Sequence, residues 1–476
     1  MKRILALTTL RPLVLAALLA QAATSADAAD KELLDILLRN GAITQAQYDV
    51  LIEQESIDSA DILDGAAVEE SVLAKIVEAE VAEQMESSSP VIASRSSSGF
   101  RLETRDGNWQ TNFQLRAQMR FTTPYRSDPR QVSSFEAEDQ SNFEARRLRM
   151  KVGGHGLHPW IRYYTEVDMQ PSRDVDDGSA SASARVIDYR MDIAKWDWLG
   201  LRLGQWKVDL NRERVDSSGR QQFVERSIAN RVFTMDRQLG VQLRGHLFQE
   251  TAADLRYFAG VFNGEGRGVN NTDADLLYTA RLQWNFMGRD LPFRQTDVEF
   301  TEEPTGSLAL AGFSNTGSCT RWSSSGCGNL DGFASPGSAG PGQFEIKQVV
   351  QEFAFKHRGF STQQEFHRKT ITDNAYGSTH VLTGGYAQAG YFLHNVLRVV
   401  PAPLEVAMRY AYVNEPNGSN RFFENDRREV TVGVNWFIDG HDSKVTLDFS
   451  RLTIDDALLS DEALDYRLRL QWDVQF

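Results

Sequence analysis

Residues 199–245 read LGLRLGQWKVDLNRERVDSSGRQQFVERSIANRVFTMDRQLGVQLRG, and this stretch decides the fold. Both ends alternate apolar and polar residues, which is the pattern of a strand with one face in an apolar environment. Between them lie about thirty residues, a length that is uncommon for a loop in a compact domain and usually functional. Seven residues of this middle part are basic. A cationic loop between two one-sided strands predicts a constriction inside a membrane barrel.

The same alternation recurs along most of the chain and predicts about sixteen strands. They lie at residues 111–121, 147–152, 161–168, 187–193, 199–204, 239–244, 255–261, 278–286, 308–313, 346–356, 360–368, 384–393, 404–412, 430–436, 444–449 and 466–476. Short connections mostly alternate with long ones, although residues 288–305 are long for a turn. Soluble sandwiches alternate too, but this count and spacing favour an all-β, antiparallel transmembrane β-barrel. The chain ends on Phe476, and closure requires this last strand to pair with the first.

The N-terminal part predicts three segments before the barrel. Residues 1–28 resemble a signal peptide, with basic residues, an apolar run and Ala26-Asp27-Ala28 as a cleavage site; the alternative is a buried helix. Residues 29–92 predict a short α-helical periplasmic segment, and fifteen acidic residues there account for most of the net charge of −14. Serine-rich residues 93–110 predict a linker leading into the barrel at residues 111–476.

Several classes of function are disfavoured. Neither a Ser-His-Asp order nor a nucleophile elbow occurs, so we expect no enzyme and no cofactor. The basic residues lie on strand interiors and not in an exposed patch, which argues against nucleic acid as a partner. Cys319 and Cys327 lie in a Gly/Ser-rich stretch that suits a loop disulfide in an oxidising compartment, whereas too few further ligands lie nearby for zinc.

If the apolar residues of each strand face lipid, the alternate positions line the lumen and carry a basic surplus. With the cations of the loop, the candidate anion pathway is Arg116, Arg120, Arg147, Arg149, Lys151, Arg162, Arg190, Arg202, Lys207, Arg212, Arg214, Arg226, Arg231 and Arg244. Anion and phosphate pores use such rings of Arg and Lys. Any single inward Arg has a structural alternative as the partner of a wall acid such as Glu166 or Asp168. Like charges repel on one face of residues 147–151, which disfavours a purely structural role there.

Six stretches together resemble the phosphate-selective porin family, the O and P type of bacterial outer-membrane channels. They are RLGQWKVDLNRE (202–213), FVERSIANR (223–231), QLGVQLRG (238–245), FAGVFNGEG (258–266), GYAQAGYFL (385–393) and VNWFIDGHDSKVTLDFSR (434–451). The resemblance implies a sixteen-stranded barrel, usually a homotrimer, with an inward loop after the fifth strand and a ladder of arginines. That loop corresponds to residues 205–237.

The expectation is therefore a water-filled, anion-selective channel in the outer membrane, with its N-terminal segment in the periplasm. The expected partners are phosphate, polyphosphate or other small anions, outer-membrane lipid and, during biogenesis, the barrel-assembly machinery. Two alternatives stay open: a general or organic-anion porin with little phosphate selectivity, and a mainly structural envelope anchor. Inward acids such as Glu166, Asp168, Asp188 and Asp192 count against strict phosphate selectivity.

Overall fold

The computed structural model describes Leu38, Arg39, Tyr48 and residues 90–476 except 97–98, 125–140, 171–183, 272–273, 325, 331, 336, 417–423 and 457–461. The chain divides into two compact units, Met1–Ser89 and Pro90–Phe476. Leu38, Arg39 and Tyr48 are helical, and the rest of the predicted signal peptide and acidic segment up to residue 89 lies outside the described residues. Within the described part of the chain, no helix combines the length and apolar character needed to cross a membrane.

The second unit is a closed antiparallel barrel of sixteen strands, which confirms the predicted fold class. The barrel strands are β3 (Gln110–Thr123), β4 (Asn142–Gly156), β5 (His158–Asp168), β6 (Arg185–Trp196), β7 (Leu199–Lys207), β8 (Arg237–Leu247), β9 (Leu255–Phe262), β10 (Leu277–Trp284), β11 (Thr305–Gly317), β14 (Phe344–His357), β15 (Phe360–Asp373), β16 (Ser378–Phe392), β17 (Leu404–Pro416), β18 (Glu424–Asp439), β19 (Ser443–Asp456) and β20 (Glu462–Gln475). Each strand pairs with its neighbour in the chain, so the order around the wall follows the sequence.

Closure rests on the C-terminal strand, as its sequence predicted. β20 pairs with β3 from Leu468 opposite Thr123 to Gln475 opposite Arg116. The last residue, Phe476, exchanges two backbone hydrogen bonds with Leu115, at 3.1 and 2.9 Å. The pairing leaves no open edge between β20 and β3, which is what a barrel in lipid requires.

A hairpin forms where the sequence predicted a linker. β1 (Val91–Ser96) pairs with β2 (Gly99–Thr104), and β2 continues onto β3 with Phe100 opposite Phe113. The hairpin occupies the part of the β3 edge that β20 leaves free beyond Phe476. The serine-rich composition suggested a flexible linker. Each strand of the hairpin has only six residues, so its alternation is a weak signal in the sequence.

The connection between β7 and β8, residues 208–236, lies inside the barrel and is called the inward segment below. It contains two short helices, α1 (Arg212–Val215) and α2 (Ile228–Phe233). A second connection, residues 285–304 between β10 and β11, also folds inward and meets the first, because the Arg212 guanidinium donates to the carbonyls of Leu291 and Pro292. This is the connection whose length departs from the pattern of short turns.

One half of the lumen holds a hydrophobic core, which corrects the expectation that apolar residues face only lipid. On β14, Ile346 and Val350 point inward and are fully buried, while Val349 on the opposite face is exposed. These inward residues pack with α2 and with the hairpin of β12 (Arg321–Ser323) and β13 (Gly326–Gly328), whose Trp322 is fully buried. Both faces of these strands are apolar here because the inner face meets protein and not water.

Glycines in the wall make room for the inward segment. A Cβ on Gly384 of β16 would lie 2.4 Å from Cε2 of Phe233 and 2.9 Å from the Tyr412 carbonyl oxygen. We therefore expect Gly384→Ala to lower the free energy of unfolding by about 1–3 kcal/mol through overpacking, measured by urea unfolding of the refolded barrel in lipid vesicles. Gly340→Ala is the matched control, since no atom lies within 4 Å of its Cβ position. Equal effects of the two substitutions would contradict this packing.

Candidate functional site

Carboxylates of the barrel wall hold the inward segment by its backbone. The N–H of Arg212 donates to Glu352 at 3.0 Å and that of Glu213 to Glu365 at 2.6 Å. Further along, the N–H of Val224 donates to Asp448 and the N–H of Ile228 donates to Glu429, both at a distance of 2.9 Å. The four acceptors, together called the wall carboxylates, are Glu352 on β14, Glu365 on β15, Glu429 on β18 and Asp448 on β19.

A basic wall side chain holds each of these carboxylates in turn. Arg281 pairs with Glu352 at 2.5 Å, and Arg469 donates to Asp448 from Nε at 2.7 Å. Arg409 pairs with Glu429, and His367 lies 3.1 Å from Glu365. All of these groups are nearly fully buried. The arginines among them therefore serve the attachment of the inward segment, because their charge is already satisfied.

Four predicted pathway residues on β3 and β4 are likewise engaged. Arg149 donates to Glu166 at 2.9 Å and to Asp168 at 3.3 Å. Its neighbour on the same face, Arg147, donates to Gln118 and lies 3.4 Å from Glu225. Both arginines thus have structural partners, and acids from β5 and the inward segment offset the repulsion between the two guanidinium groups. Their place in the anion pathway stays a prediction.

Arg116 and Arg120 connect the β3 wall to the inward segment. Arg116 donates to the hydroxyls of Ser217 and Ser218, at 3.1 and 2.5 Å. Arg120 lies 3.0 Å from Glu225 and also donates to the Val224 carbonyl. Neither of them lines the main cavity described below.

The cations inside the inward segment mostly stabilise its own fold. Arg214 pairs with Asp236, Arg226 donates to the carbonyls of Glu213 and Asp216, and Arg212 binds the second connection as described. Arg231 lies in α2 and is half-buried. None of these four predicted pathway residues lines the main cavity. Spacing could not reveal this, because backbone carbonyls as acceptors leave no signature in the sequence.

A cavity of about 830 Å³ lies between the inward segment and the wall of β3 to β7, and we call it the main cavity. At about 30 Å³ per water molecule, this volume is on the order of 25 waters. Five predicted residues besides Arg149 line it: Lys151, Arg162, Arg190, Arg202 and Lys207. A smaller cavity of about 320 Å³ shares Arg162 and Arg202 with it and adds Arg244.

The lining cations differ in what they bind. Arg202 is 2.5 Å from Asp192, and Arg190 is 3.5 Å from the same carboxylate. By contrast, Lys151 donates to the Gln114 side chain at 2.8 Å, and Arg162 and Lys207 donate to backbone carbonyls, both at 3.3 Å. Neutral acceptors leave a cation's charge uncancelled, so this second group supplies the positive field of the cavity.

Arg220 is a further lining cation without a carboxylate partner among the described residues, and the predicted anion pathway does not include it. It lies in the inward segment, half-buried, and its side chain lines the main cavity. Among the described residues, its guanidinium has neither a hydrogen bond nor an ion pair. The signal in the sequence is its position after Ser217-Ser218-Gly219, a small-residue run that places it at a turn, where the Arg220 N–H donates to the Ser217 carbonyl.

Cys319 and Cys327 are joined in a disulfide, in the β11–β14 connection that carries the β12–β13 hairpin. Their Cα atoms are 5.6 Å apart. The disulfide lies beside Trp322, whose indole N–H donates to the Gly264 carbonyl at 2.7 Å. It fastens the hairpin to the hydrophobic core and lies away from the residues that line the main cavity.

Comparison with known proteins gives a family and a fold. A family model described as phosphate-selective porin O and P matches residues 121–476. OmpF of Salmonella typhi, solved in complex with daunomycin, is 9% identical with a TM-score of 0.51, covering 79% of this chain and 100% of that one. The channel DcaP of Acinetobacter baumannii is 10% identical with a TM-score of 0.47, covering 77% and 97%. No curated protein sequence matches the chain.

The attachment of the inward segment is tested at Glu429. Its carboxylate accepts from the Ile228 N–H and the Arg409 guanidinium, so Glu429→Gln removes the nearest anionic partner of a buried guanidinium and leaves only Glu213, 3.9 Å away. We expect a loss of about 3–5 kcal/mol in the free energy of unfolding, with faster proteolysis within residues 208–236. The control Glu345→Gln removes a half-buried acid on the outer face of β14, paired with exposed Lys347, and should cost under about 1 kcal/mol. Unchanged stability of Glu429→Gln would contradict the proposed attachment.

Asp216 predicts a pH dependence of the cavity charge. It is buried, and neither of its carboxylate oxygens has a hydrogen-bond partner within the described ranges. Burial raises its pKa to about 6 against the opposing effect of Arg226 and Lys207. Protonation below that pH removes a negative charge beside the lining cations. The anion-to-cation permeability ratio should therefore rise as pH falls from 7 to 5, measured by reversal potentials. Asp216→Asn should flatten this profile, and a profile that stays unchanged would rule out Asp216 as its source.

Proposed function

The chain belongs to the phosphate-selective porin O and P family, and from this premise we propose that it is an anion-selective channel for phosphate or polyphosphate. Family and fold are those of outer-membrane channels and not of enzymes. In this proposal the anions pass through the main cavity, along the wall of β3 to β7 and one side of the inward segment. The other half of the lumen, filled by the hydrophobic core, supports the segment.

One observation carries the proposal: four lining cations have no carboxylate partner among the described residues. They are Lys151, Arg162, Lys207 and Arg220. The two arginines present planar forks that match phosphate oxygens and keep their charge at any physiological pH, and the two lysines add ammonium donors. Several such groups around one cavity give a row of modest sites, so an anion can bind, move to the next site and leave.

The acids of the lining do not cancel this field. There are four of them among the described residues. Glu166 is engaged by Arg149, Asp192 by Arg202, and Asp188 by Arg237 at 2.9 Å. Asp209 lies 3.6 Å from Arg202 and 3.8 Å from Arg244. Each acid thus neutralises a cation other than the four that have no carboxylate partner. The unpaired charges that remain on the cavity side are positive, which favours anions over cations.

A broader organic-anion porin is the second candidate, and one observation favours it. The main cavity is also lined by Tyr163, Tyr164 and Trp206. Aromatic faces suit organic anions, which carry apolar surface beside their charge, and offer little to inorganic phosphate. A mainly structural envelope anchor has no such support from the described residues.

The proposed location is the outer membrane, and the proposed assembly is a trimer. The barrel lies in the outer membrane with its short turns toward the periplasm, where residues 29–92 follow a signal peptide of residues 1–28. We propose a homotrimer, in line with the family and with a trimer form of OmpT of Vibrio cholerae among proteins of similar fold. Folding into the membrane requires the barrel-assembly machinery, and the anions need no cofactor.

The double variant Lys151→Gln/Arg220→Gln tests the passage. Removing two cations that have no carboxylate partner should lower the anion-to-cation permeability ratio and the apparent phosphate affinity by about tenfold, or roughly 1.4 kcal/mol. Phosphate block of chloride current in planar bilayers measures both quantities. Lys195→Gln is the matched control, because Lys195 is exposed on β6 and stacks on Trp160 and Trp196 outside the main cavity.

The outcomes separate the candidates. Block of chloride current by low phosphate concentrations, lost in the double variant, supports the phosphate channel. Anion preference without phosphate block, combined with block by aromatic carboxylates, supports the organic-anion porin instead. A barrel that inserts but conducts no ions is incompatible with either channel.

A further inference from the structure

The outer wall of β17 to β20 carries a row of four side chains at one level near the long-loop end. Tyr412 on β17 lies directly opposite Arg428 on β18, and Arg451 on β19 lies directly opposite Tyr466 on β20. The two arginines are diagonal neighbours, because Arg451 pairs with Val430 two residues from Arg428. We call these four residues the outer row.

The outer row faces away from the lumen. Arg451 is exposed, while its neighbours Ser450 and Leu452 are buried on the inner face. Arg428 alternates in the same way with buried Arg427 and Glu429, and its side chain is 52% exposed. Both guanidinium groups thus lie on the surface that meets the membrane.

The distance along the strands places the outer row at the boundary of the apolar band. Below Arg428, the outward residues of β18 are Val430, Val432, Val434 and then Trp436. From Arg428 to Trp436, a rise of about 3.4 Å per residue and a tilt of about 40° give roughly 21 Å along the membrane normal. Barrels have an apolar band of about 25 Å bordered by aromatic girdles. Trp436 belongs to the girdle at the short-turn end, and Tyr412 and Tyr466 belong to the girdle at the other end.

The charges of the row are incompletely satisfied by protein. The Arg451 guanidinium has neither a hydrogen bond nor an ion pair among the described residues. Arg428 lies 4.0 Å from Asp426, which is the next outward residue toward the loop. At the level where the girdle meets the headgroups, the described part of the chain offers the Arg451 guanidinium no acceptor, whereas the membrane offers anionic groups.

We propose that the outer row binds the phosphate groups of a lipid headgroup in the leaflet at the long-loop end. Two arginines on adjacent strands present two forks that match phosphate oxygens, and each is flanked by a tyrosine whose ring sits at the headgroup level. Stacking of Tyr466 on Phe449, with ring centroids 5.8 Å apart, fixes one side of the site. The apolar residues below it on β18 to β20 contact the acyl chains of the same lipid.

Native mass spectrometry of the full-length, detergent-purified protein tests the proposal with diphosphoryl lipid A as the probe. The variant Arg428→Gln/Arg451→Gln should retain about a tenth or less of the bound lipid, while its heat-modified gel shift and its anion permeability stay as in the unchanged protein. Arg368→Gln is the matched control. It removes an outward arginine on β15 whose cross-strand neighbours are Val349 and Thr383 and not tyrosines, so lipid binding should be retained.

A second arm uses the unchanged protein and needs no variant. Lipid A without phosphates should bind about tenfold less, and millimolar inorganic phosphate should not displace the diphosphoryl form, because acyl contacts are part of the site. Equal binding of the dephosphorylated lipid, or equal losses in the double variant and Arg368→Gln, would overturn the proposal. A change of oligomeric state in the double variant would also overturn it, since the row would then be a contact between copies of the chain.

Discussion

The inward segment depends on the hydrogen bonds that its backbone N–H groups donate to the wall carboxylates. A chain inside a barrel has no strand to pair with, yet its buried peptide groups still need partners. Glu352, Glu365, Glu429 and Asp448 supply them from four strands. Because these acceptors are charged, each hydrogen bond is stronger than a neutral one, and the main chain of the segment supplies much of its attachment.

This attachment decides which charges remain available. A buried carboxylate needs a cation, so Arg281, Arg409 and Arg469 are committed to the wall carboxylates on the side of β10 to β20. On the opposite side two acids of the segment, Glu225 and Asp209, are taken up by wall arginines. Lys151 meets a glutamine instead, and Arg220 has no carboxylate partner among the described residues, so both keep their charge toward the cavity. The uneven distribution of unpaired positive charge in the lumen thus follows from the positions of the acids more than from the positions of the arginines. Field strength in a cavity depends on the unpaired charge, and acids set how much of it remains.

The sequence predicted the barrel well because alternation is local. All sixteen predicted strands, the closing strand that ends at Phe476 and the unusual length of residues 288–305 could be recognised within short windows. Partners of individual arginines could not, because they come from distant parts of the chain: Arg120 donates to the Val224 carbonyl, which is 104 residues away. Counting inward arginines therefore does not reveal which of them are paired with acids, as Arg147 and Arg149 are. The inner hydrophobic core was missed for a related reason, since Ile346 and Val350 break the one-sided pattern only where a distant segment covers them.

One chemical requirement accounts for the arginines of this barrel in three different places. A guanidinium keeps its charge, so in a site with little water it must have an anionic or strongly accepting partner. In the wall the partner is a carboxylate, as Asp448 is for Arg469. At the membrane surface, in the proposed lipid site, a lipid phosphate takes the role of the carboxylate beside Arg451. In the main cavity Arg220 is half-buried beside water, and in the proposed channel its partner is a mobile anion. Arginine can thus stabilise the fold, bind lipid or bind a passing anion. Which of these it does depends on whether its partner is a carboxylate of the chain, a lipid phosphate or a mobile anion.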